Sequence, residues 1–307
     1  MKKDKIRNLK IYNILIGIKH YLEYIFYKML YIFIKKDKYN IISDVETVDL
    51  IVYKKKSIAR YGDGEFKWII GMKQKNFQDD DPKLKQKLIE ALTSNYDNLL
   101  IGIPSFLNST NKFTLNAKKY WIHFLFKSYK KIKVYINKNQ IYADSYITRP
   151  YLDIKDKNKK NVIKRFDNLK RICDKRNIVI VEGEFSRLGL ENDLFDNAKE
   201  IKRIICPAKN AFKKYNKIKS EMELCPKDTL FILSLGPTAT VLSYELSQEG
   251  YQCIDLGHID IEYMWFLNGT KRKIKIKGKF VNEVDNNGNI EDITNEEYNS
   301  QILKKIL

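Results

Sequence analysis

The chain has 307 residues, 44% of them hydrophobic, and a formal net charge of +19 from 57 Lys and Arg against 38 Asp and Glu. That length can bury a full α/β core with an appendage to spare, and the apolar fraction is that of a globular protein. The charge points to an anionic partner, such as a membrane surface or a phosphorylated substrate, or simply to a solvated lysine-rich surface; with no arginine-rich tract or zinc-finger spacing, it does not read as a nucleic-acid binder.

Residues 1–48 read as a basic, amphipathic helical extension. Leu9 to Ile34 is rich in Ile, Leu, Tyr and Phe, interrupted by Lys10, Asn13, Lys19, His20, Glu23 and Lys28. Charges in its middle argue against a spanning helix, which needs about 20 predominantly apolar residues. The basic flanks, Lys2, Lys3, Lys5 and Arg7 before it and Lys35, Lys36 and Lys38 after it, fit a helix lying on an anionic membrane. The alternative is a helix packed on the protein's own core. Asp44 to Tyr53 reads as a short helix leading into the next strand. No apolar stretch with a small-residue cleavage site marks a secretory signal.

Ser57-Ile58-Ala59 reads as the end of a buried strand, followed by Arg60-Tyr61-Gly62-Asp63-Gly64-Glu65-Phe66. Gly62 and Gly64 bracket an acid, and glycine permits close approach of a ligand to the backbone. Asp63 and Glu65, at i and i+2, share a side if the loop is extended, which suits one hard cation with positions left for phosphate oxygens. A solvated Asp-Gly turn is the simpler reading of the same residues.

Asp81-Pro82 opens a helix through Leu84, Leu88 and Leu92. Leu99 to Ile103 is a strand ended by Pro104, and 113–130 is an aromatic helix in which His123 sits as a core or surface residue. Tyr142 to Arg149 is strand-like, and a helix runs to about Asp174. Ile178 to Val181 is a strand feeding the polar loop Glu182 to Phe195. Ile201 to Cys206 is another, followed by a basic helix from Ala208 to Met222. Cys173, Cys206, Cys225 and Cys253 form no C-x-x-C pair and read as buried thiols in a reducing compartment.

Leu230 to Leu235, Gly236-Pro237-Thr238, a helix to Gln248, Gly250 and the strand Tyr251 to Leu256 make a βαβ unit. Its glycine turn at a helix start offers N–H groups to a phosphate. His258, Asp260 and Glu262 alternate, so in an extended chain they share a face and form an acid/base cluster. Lys271 to Lys277 alternates Lys or Arg with Ile, as an exposed edge strand or basic flap. A polar turn from Asn286 to Asn295 and a short helix close the chain. Strands alternating with helices predict an α/β, Rossmann-like, mostly parallel sheet covered on both faces, with ligands at the carboxyl ends of the strands.

RYGDGEF, FQ at Phe77-Gln78, SYITRPY at Ser145–Tyr151, VEGEFSRLGLENDLF, IKRIICPAKNAF, LGPTATVLSYEL and IDLGHIDIEYMW occur in the order found in bacterial glycosyltransferases of the GT-D fold. The resemblance covers about Asp49 to Glu283, setting a domain of 49–283 between the extension and a tail of 284–307. It implies transfer of a sugar from a nucleoside-diphosphate sugar, typically UDP-linked, to a growing surface polysaccharide or glycoprotein glycan, lipid- or protein-linked, in the cytoplasm, while the basic N-terminal helix adds a peripheral place at the inner face of the membrane. It also implies Mn²⁺ or Mg²⁺ held by an Asp-x-Glu, here Asp63 and Glu65. Arg60, Arg149 and Arg187 are then candidate phosphate clamps. Gly62 and the Gly236-Pro237-Thr238 turn would meet the diphosphate or ribose, and Asn192 and Asp193 the nucleoside or sugar hydroxyls. His258, Asp260 and Glu262 are the candidate general bases of an inverting transfer. The chain departs from the family pattern at Glu191, where glycine is usual, and at Met264, where glutamate is usual. Met264, with the long basic N-terminus, leaves a non-catalytic, membrane-peripheral scaffold or nucleotide-binding subunit as the alternative. A homo-oligomer is left open.

Overall fold

The computed structural model describes residues 2–34, 37–72, 74, 78–284, 290 and 294–307. Phe77, Lys35, Lys36, most of the polar turn before Asn295, and the side chains of residues 2–11 and 13 lie outside the described part.

The chain opens with helix α1 (Lys2–Ile32), the two-residue strand β1 (Asn40–Ile41) and α2 (Asp44–Tyr53). α2 starts on a capping box: the Glu46 N–H donates to Ser43 Oγ at 3.2 Å and the Ser43 N–H to Glu46 Oε2 at 2.9 Å. β2 (Ser57–Arg60) and α3 (Asp63–Ile69) follow, then α4 (Pro82–Thr93), with Asp81 as N-cap and proline in its first turn. Next come β3 (Leu99–Ile103), α5 (Leu115–Ile132) capped by Thr114, β4 (Ile141–Asp144) and α6 (Lys159–Lys170) capped by Asn158. The second half contains β5 (Asn177–Gly183), β6 (Glu200–Cys206), α7 (Tyr215–Glu223), β7 (Leu230–Ser234), α8 (Pro237–Gln248), β8 (Gln252–Asp255), α9 (Ile259–Leu267), α10 (Glu296–Ser300) and β9 (Ile302–Lys305).

Among the described residues nine strands form one sheet and pair in parallel, in the order β1-β4-β3-β2-β8-β7-β5-β6-β9. Side chains of successive strand residues enter opposite layers. Val179 and Val181 of β5 join a core with Phe231, Leu233, Cys253 and the inner faces of α4, α5 and α8. Ile178 and Ile180 join a second core with Leu230, Ile232, Ile254 and residues of α2, α6 and α9. A sheet buried on both faces explains why its strands read as continuous apolar runs. The two outermost strands, β1 and β9, come from the segments outside the 49–283 resemblance.

Four local expectations are corrected. The stretch from His258 to Glu262 is the start of α9, not extended chain. Lys271 to Lys277 forms no strand: Ile276 is buried and Ile274 half-buried against the second core, and the Trp265 indole N–H donates to the Ile274 carbonyl at 2.9 Å, so the alternation reflects anchoring. The basic helix begins only at Tyr215, after a 3₁₀ turn at Ala211–Lys214. The terminal helix is followed by β9, which pairs with β6.

Candidate active site

β2 and β8 lie side by side, yet α3 leaves β2 into the first core and α9 leaves β8 into the second. Where neighbouring strands send the chain to opposite faces, a crevice opens at their carboxyl ends. That crevice is a cleft of about 660 Å³, walled by the ends of β2, β7 and β8, the segment after β4, α5, and the returning segment 273–283.

Asp63 and Glu65 both line it, but not as neighbours on an extended loop. Gly62, in extended conformation, is the N-cap of α3, and its N–H donates to Glu65 Oε2 at 2.8 Å. The acids therefore occupy the first helical turn, where carboxylates are favoured by the helix dipole. Buried Tyr61 and Phe66 pin this turn, the Tyr61 hydroxyl donating to the Leu88 carbonyl at 2.7 Å. Asp63 accepts from Lys67 one turn on and from the Tyr120 hydroxyl of α5. Burial pushes its carboxyl up, but the Lys67 charge and these hydrogen bonds outweigh it, leaving Asp63 below the ordinary carboxylate range. Burial raises Glu65 above it.

Arg60 reaches the cleft but is not a free clamp. Its guanidinium donates to Asp255 Oδ1 at 2.8 Å, the Asp255 carbonyl, Thr148 Oγ1 at 2.6 Å and the Ser145 carbonyl. It locks β2 to β8 and to the segment after β4. Gly257 makes room for it: at φ 43°, a Cβ there would lie 2.2 Å from Arg60 Nη2.

Arg149 and His258 line the cleft and meet on Glu283, whose Oε1 is 2.9 Å from Arg149 Nη2 and whose Oε2 is 2.5 Å from His258 Nε2. Burial raises the Glu283 carboxyl, but the His258 and Arg149 charges hold it well below the ordinary range. With Nε2 taken by Glu283, Nδ1 of His258 is the nitrogen left to accept a proton. Gly236 and Pro237 also line the cleft. Gly236, at φ 55° and ψ −139°, turns β7 into α8 in a conformation suited to glycine.

The remaining expected residues serve the walls. Asp260 lines the cleft, but Oδ1 accepts from the Gly189 N–H and the Asn192 amide, both at 2.8 Å, and Oδ2 from buried Lys279 at 2.6 Å. That leaves no oxygen free to act as a base. Glu262 is buried outside the cleft, where Oε2 accepts the N–H groups of Tyr151 and Leu152 at 3.1 and 2.9 Å and orders the turn after Arg149. Asn192 is spent on Asp260, and Asp193 is bound by Lys170 and the Tyr263 hydroxyl away from the cleft. Thr238 is buried behind Pro237. Arg187 is 5% exposed, donates to the Gly278 carbonyl at 2.7 Å, and does not line the cleft. Glu191 takes φ 61°, a left-handed conformation that explains the usual glycine at this position, and Met264 is buried beside Asn192.

Sequence reasoning missed Glu283, Tyr120, Lys67 and Asp255. Asp255 ends a strand, the one local signal among them. Tyr120 was absorbed into the aromatic core of its helix, and Glu283 lies in a segment without periodicity. Among the described residues no three His, Cys, Asp or Glu side chains are gathered to hold a metal ion.

The sequence model described as "Glycosyltransferase GT-D fold" matches residues 58–284. The chain is 37% identical over 263 residues to glycosyltransferase GlyD of Streptococcus pneumoniae serotype 4 (strain ATCC BAA-334 / TIGR4), covering 85% of this chain and 32% of that protein. It is 36% identical over 269 residues to a probable glycosyl transferase, Gly, of Streptococcus gordonii, covering 87% and 39% respectively. It thus spans 32% and 39% of the length of these curated relatives. Among solved structures, a domain of unknown function 1792 described as having a distinct glycosyltransferase fold superposes with a TM-score of 0.83 at 34% identity, over 92% of this chain and 99% of that one. A DUF1792 glycosyltransferase from Streptococcus sanguinis gives 0.83 at 35%, over 88% and 100%. On this fold, with this cleft and these relatives, the chain belongs to the family of GT-D-fold glycosyltransferases.

Proposed function

We infer that the cleft binds a nucleoside-diphosphate sugar, UDP-linked, and transfers its sugar to a hydroxyl of a lipid- or protein-linked glycan. The observation that carries this reading is the pair Asp63 and Glu65 at the start of α3, in the crevice between β2 and β8. Two hard carboxylate donors without a third protein ligand suit Mg²⁺ or Mn²⁺, which complete their coordination with water and substrate phosphates. When bound, the ion would neutralise charge on the departing nucleoside diphosphate.

The chain's own residues supply the rest. Lys67 and Tyr120 keep Asp63 ionised and oriented, and Gly62 fixes Glu65. Arg149, held by Glu283, presents a guanidinium fork to phosphate oxygens. In an inverting displacement His258 takes the acceptor proton on Nδ1, with Glu283 stabilising the imidazolium. The basic, apolar α1 would place this chemistry at the inner face of a membrane.

A panel of nucleotide sugars, assayed for Mn²⁺-dependent hydrolysis, tests the assignment. Asp63→Ala and Glu65→Ala should each lower turnover by orders of magnitude, on the scale of losing electrostatic stabilisation of a leaving group. Full activity in both variants would overturn it.

A further inference from the structure

The opposite end of the sheet carries a second cavity, of about 620 Å³. It lies where the chain enters five adjacent strands. Lys54 and Lys55 precede β2, Lys227 precedes β7, Lys175 and Arg176 precede β5, and Lys199 precedes β6, with Gln252 of β8 among them. Asp228 is the one acid among the described residues lining it.

Elsewhere cations are widely paired, as in Lys170–Asp193, Arg171–Asp49 and Lys219–Glu249. In this groove none of the six cations has an ion-pair partner among the described residues. Arg176 is oriented by neutral groups, donating to Gln252 Oε1 at 3.1 Å and the Asp228 carbonyl at 3.4 Å. Lys227 lies 3.5 Å from the centre of the Tyr251 ring and donates to the Glu249 carbonyl at 2.9 Å. These contacts position charge, and Asp228 is the one acid of the groove whose charge acts on Arg176. Burial lowers the pKa of Arg176, and burial together with the Arg176 charge lowers that of Lys55.

The backbone gives a second, independent sign. Lys55 and Lys175 both have φ of 53°, two of the five non-glycine residues with positive φ among those described. Glycine takes that conformation without strain and lysine does not. Both flank this groove, Lys55 just past the C-cap of α2, where the Lys56 N–H closes the helix on the Leu50 carbonyl at 3.3 Å, so a lysine stands at a position that ordinarily favours glycine.

We propose that this groove binds a phosphate-dense anion, one carrying two or more linked phosphates. Compact ammonium groups and one guanidinium fork match such oxygens, and several like charges in one cavity require dense negative charge to balance them. Tyr251 is buried and covered by Lys227, so the groove offers no open ring on which to stack a base, and recognition is of the phosphates. The site stands apart from the cleft and does not depend on its assignment.

The test uses the full chain in EDTA at about 0.1 M NaCl, where surface charges are screened beyond about 10 Å. Inorganic triphosphate is titrated calorimetrically into the wild type and into Lys55→Gly/Lys175→Gly. The double variant should keep or raise its melting temperature, because strain is removed, while losing affinity on the order of tenfold or more. A second arm measures retention on phosphatidylcholine vesicles with and without farnesyl diphosphate. Diphosphate-dependent retention lost in the double variant assigns the phosphates to a lipid headgroup. Triphosphate binding lost without a vesicle effect assigns them to a soluble anion. Absence of binding in both arms, or binding that the glycine substitutions leave unchanged, overturns the proposal.

Discussion

Arg60 and Asp255 sit against each other at the ends of neighbouring strands, with side chains 14% and 5% exposed. Because a buried pair loses heavily when one member is displaced, Gly257→Ala, whose methyl would collide with the guanidinium, should cost on the order of 3 kcal/mol in chemical denaturation. Glu262 makes a pH-dependent case. Burial, with Arg149 opposing, raises its carboxyl to about 7. The unfolded value is about 4.3, so the native state holds the extra proton between the two. The stabilisation is complete below the unfolded value and is lost as pH rises through about 7. Melts at pH 5 and 7.5 should show wild type losing more stability over this interval than Glu262→Gln; parallel curves would contradict it. At this scale the sequence showed which residues were special better than what they do. Asp63 and Glu65 stood out by their glycines, but a glycine N-cap leaves no side-chain signal of a helix start, so the pair was read as extended. Arg187 and Asn192 looked like ligand contacts because they follow a strand, yet their hydrogen bonds hold loop to core.

Helix α1 divides into two parts. Its C-terminal half packs against α5, with Tyr27 edge-on to His123 and Tyr31 against the first core. From Tyr12 to Glu23 every described residue except Ile16 is exposed, including Ile14, Leu15, Ile18, Tyr21 and Leu22. No described helix is long and apolar enough to cross a membrane. The reading of a helix packed on the protein's own core holds for its C-terminal end, and the other end leaves apolar side chains exposed, where we propose the membrane contact. Deleting residues 2–23 should change the melting temperature by no more than a few degrees, since none of the described side chains between Tyr12 and Glu23 belongs to a core cluster, and should release the protein from anionic vesicles in a flotation assay. Undiminished vesicle binding would contradict the membrane role. Strands and helices of the central domain were legible because each buried strand is an apolar run bounded by Gly, Pro or polar residues. The two edge strands were not, since Asn40-Ile41 is too short for a periodic signal and β9, Ile-Leu-Lys-Lys, has no alternation and follows a helix-like stretch.

Across the whole molecule, the parallel sheet separates two charged regions, the cleft at the carboxyl ends of the strands and the cationic groove at their amino ends. The C-terminal segment is part of this architecture. Ile306 is 1% exposed, and the Tyr298 hydroxyl donates to buried Glu182 at 3.0 Å beside Arg203. Removing residues 294–307 should expose that buried pair and lower stability by several kcal/mol, read by denaturant melts. The α/β class and the sheet's two covered faces followed from strand–helix alternation. The central β2–β8 pairing, Ile58 against Ile254, and the contact of Arg149 with Glu283 did not, because no local pattern links segments that far apart in the chain. The central claim is that Asp63 and Glu65 bind the donor diphosphate through a divalent ion. Calorimetric titration of UDP with Mn²⁺ or EDTA tests it most directly, using wild type, Asp63→Ala and Glu65→Ala of matched melting temperature. Binding should require Mn²⁺ and weaken on the order of tenfold or more in each variant; equal UDP affinity in EDTA and in both variants would contradict it.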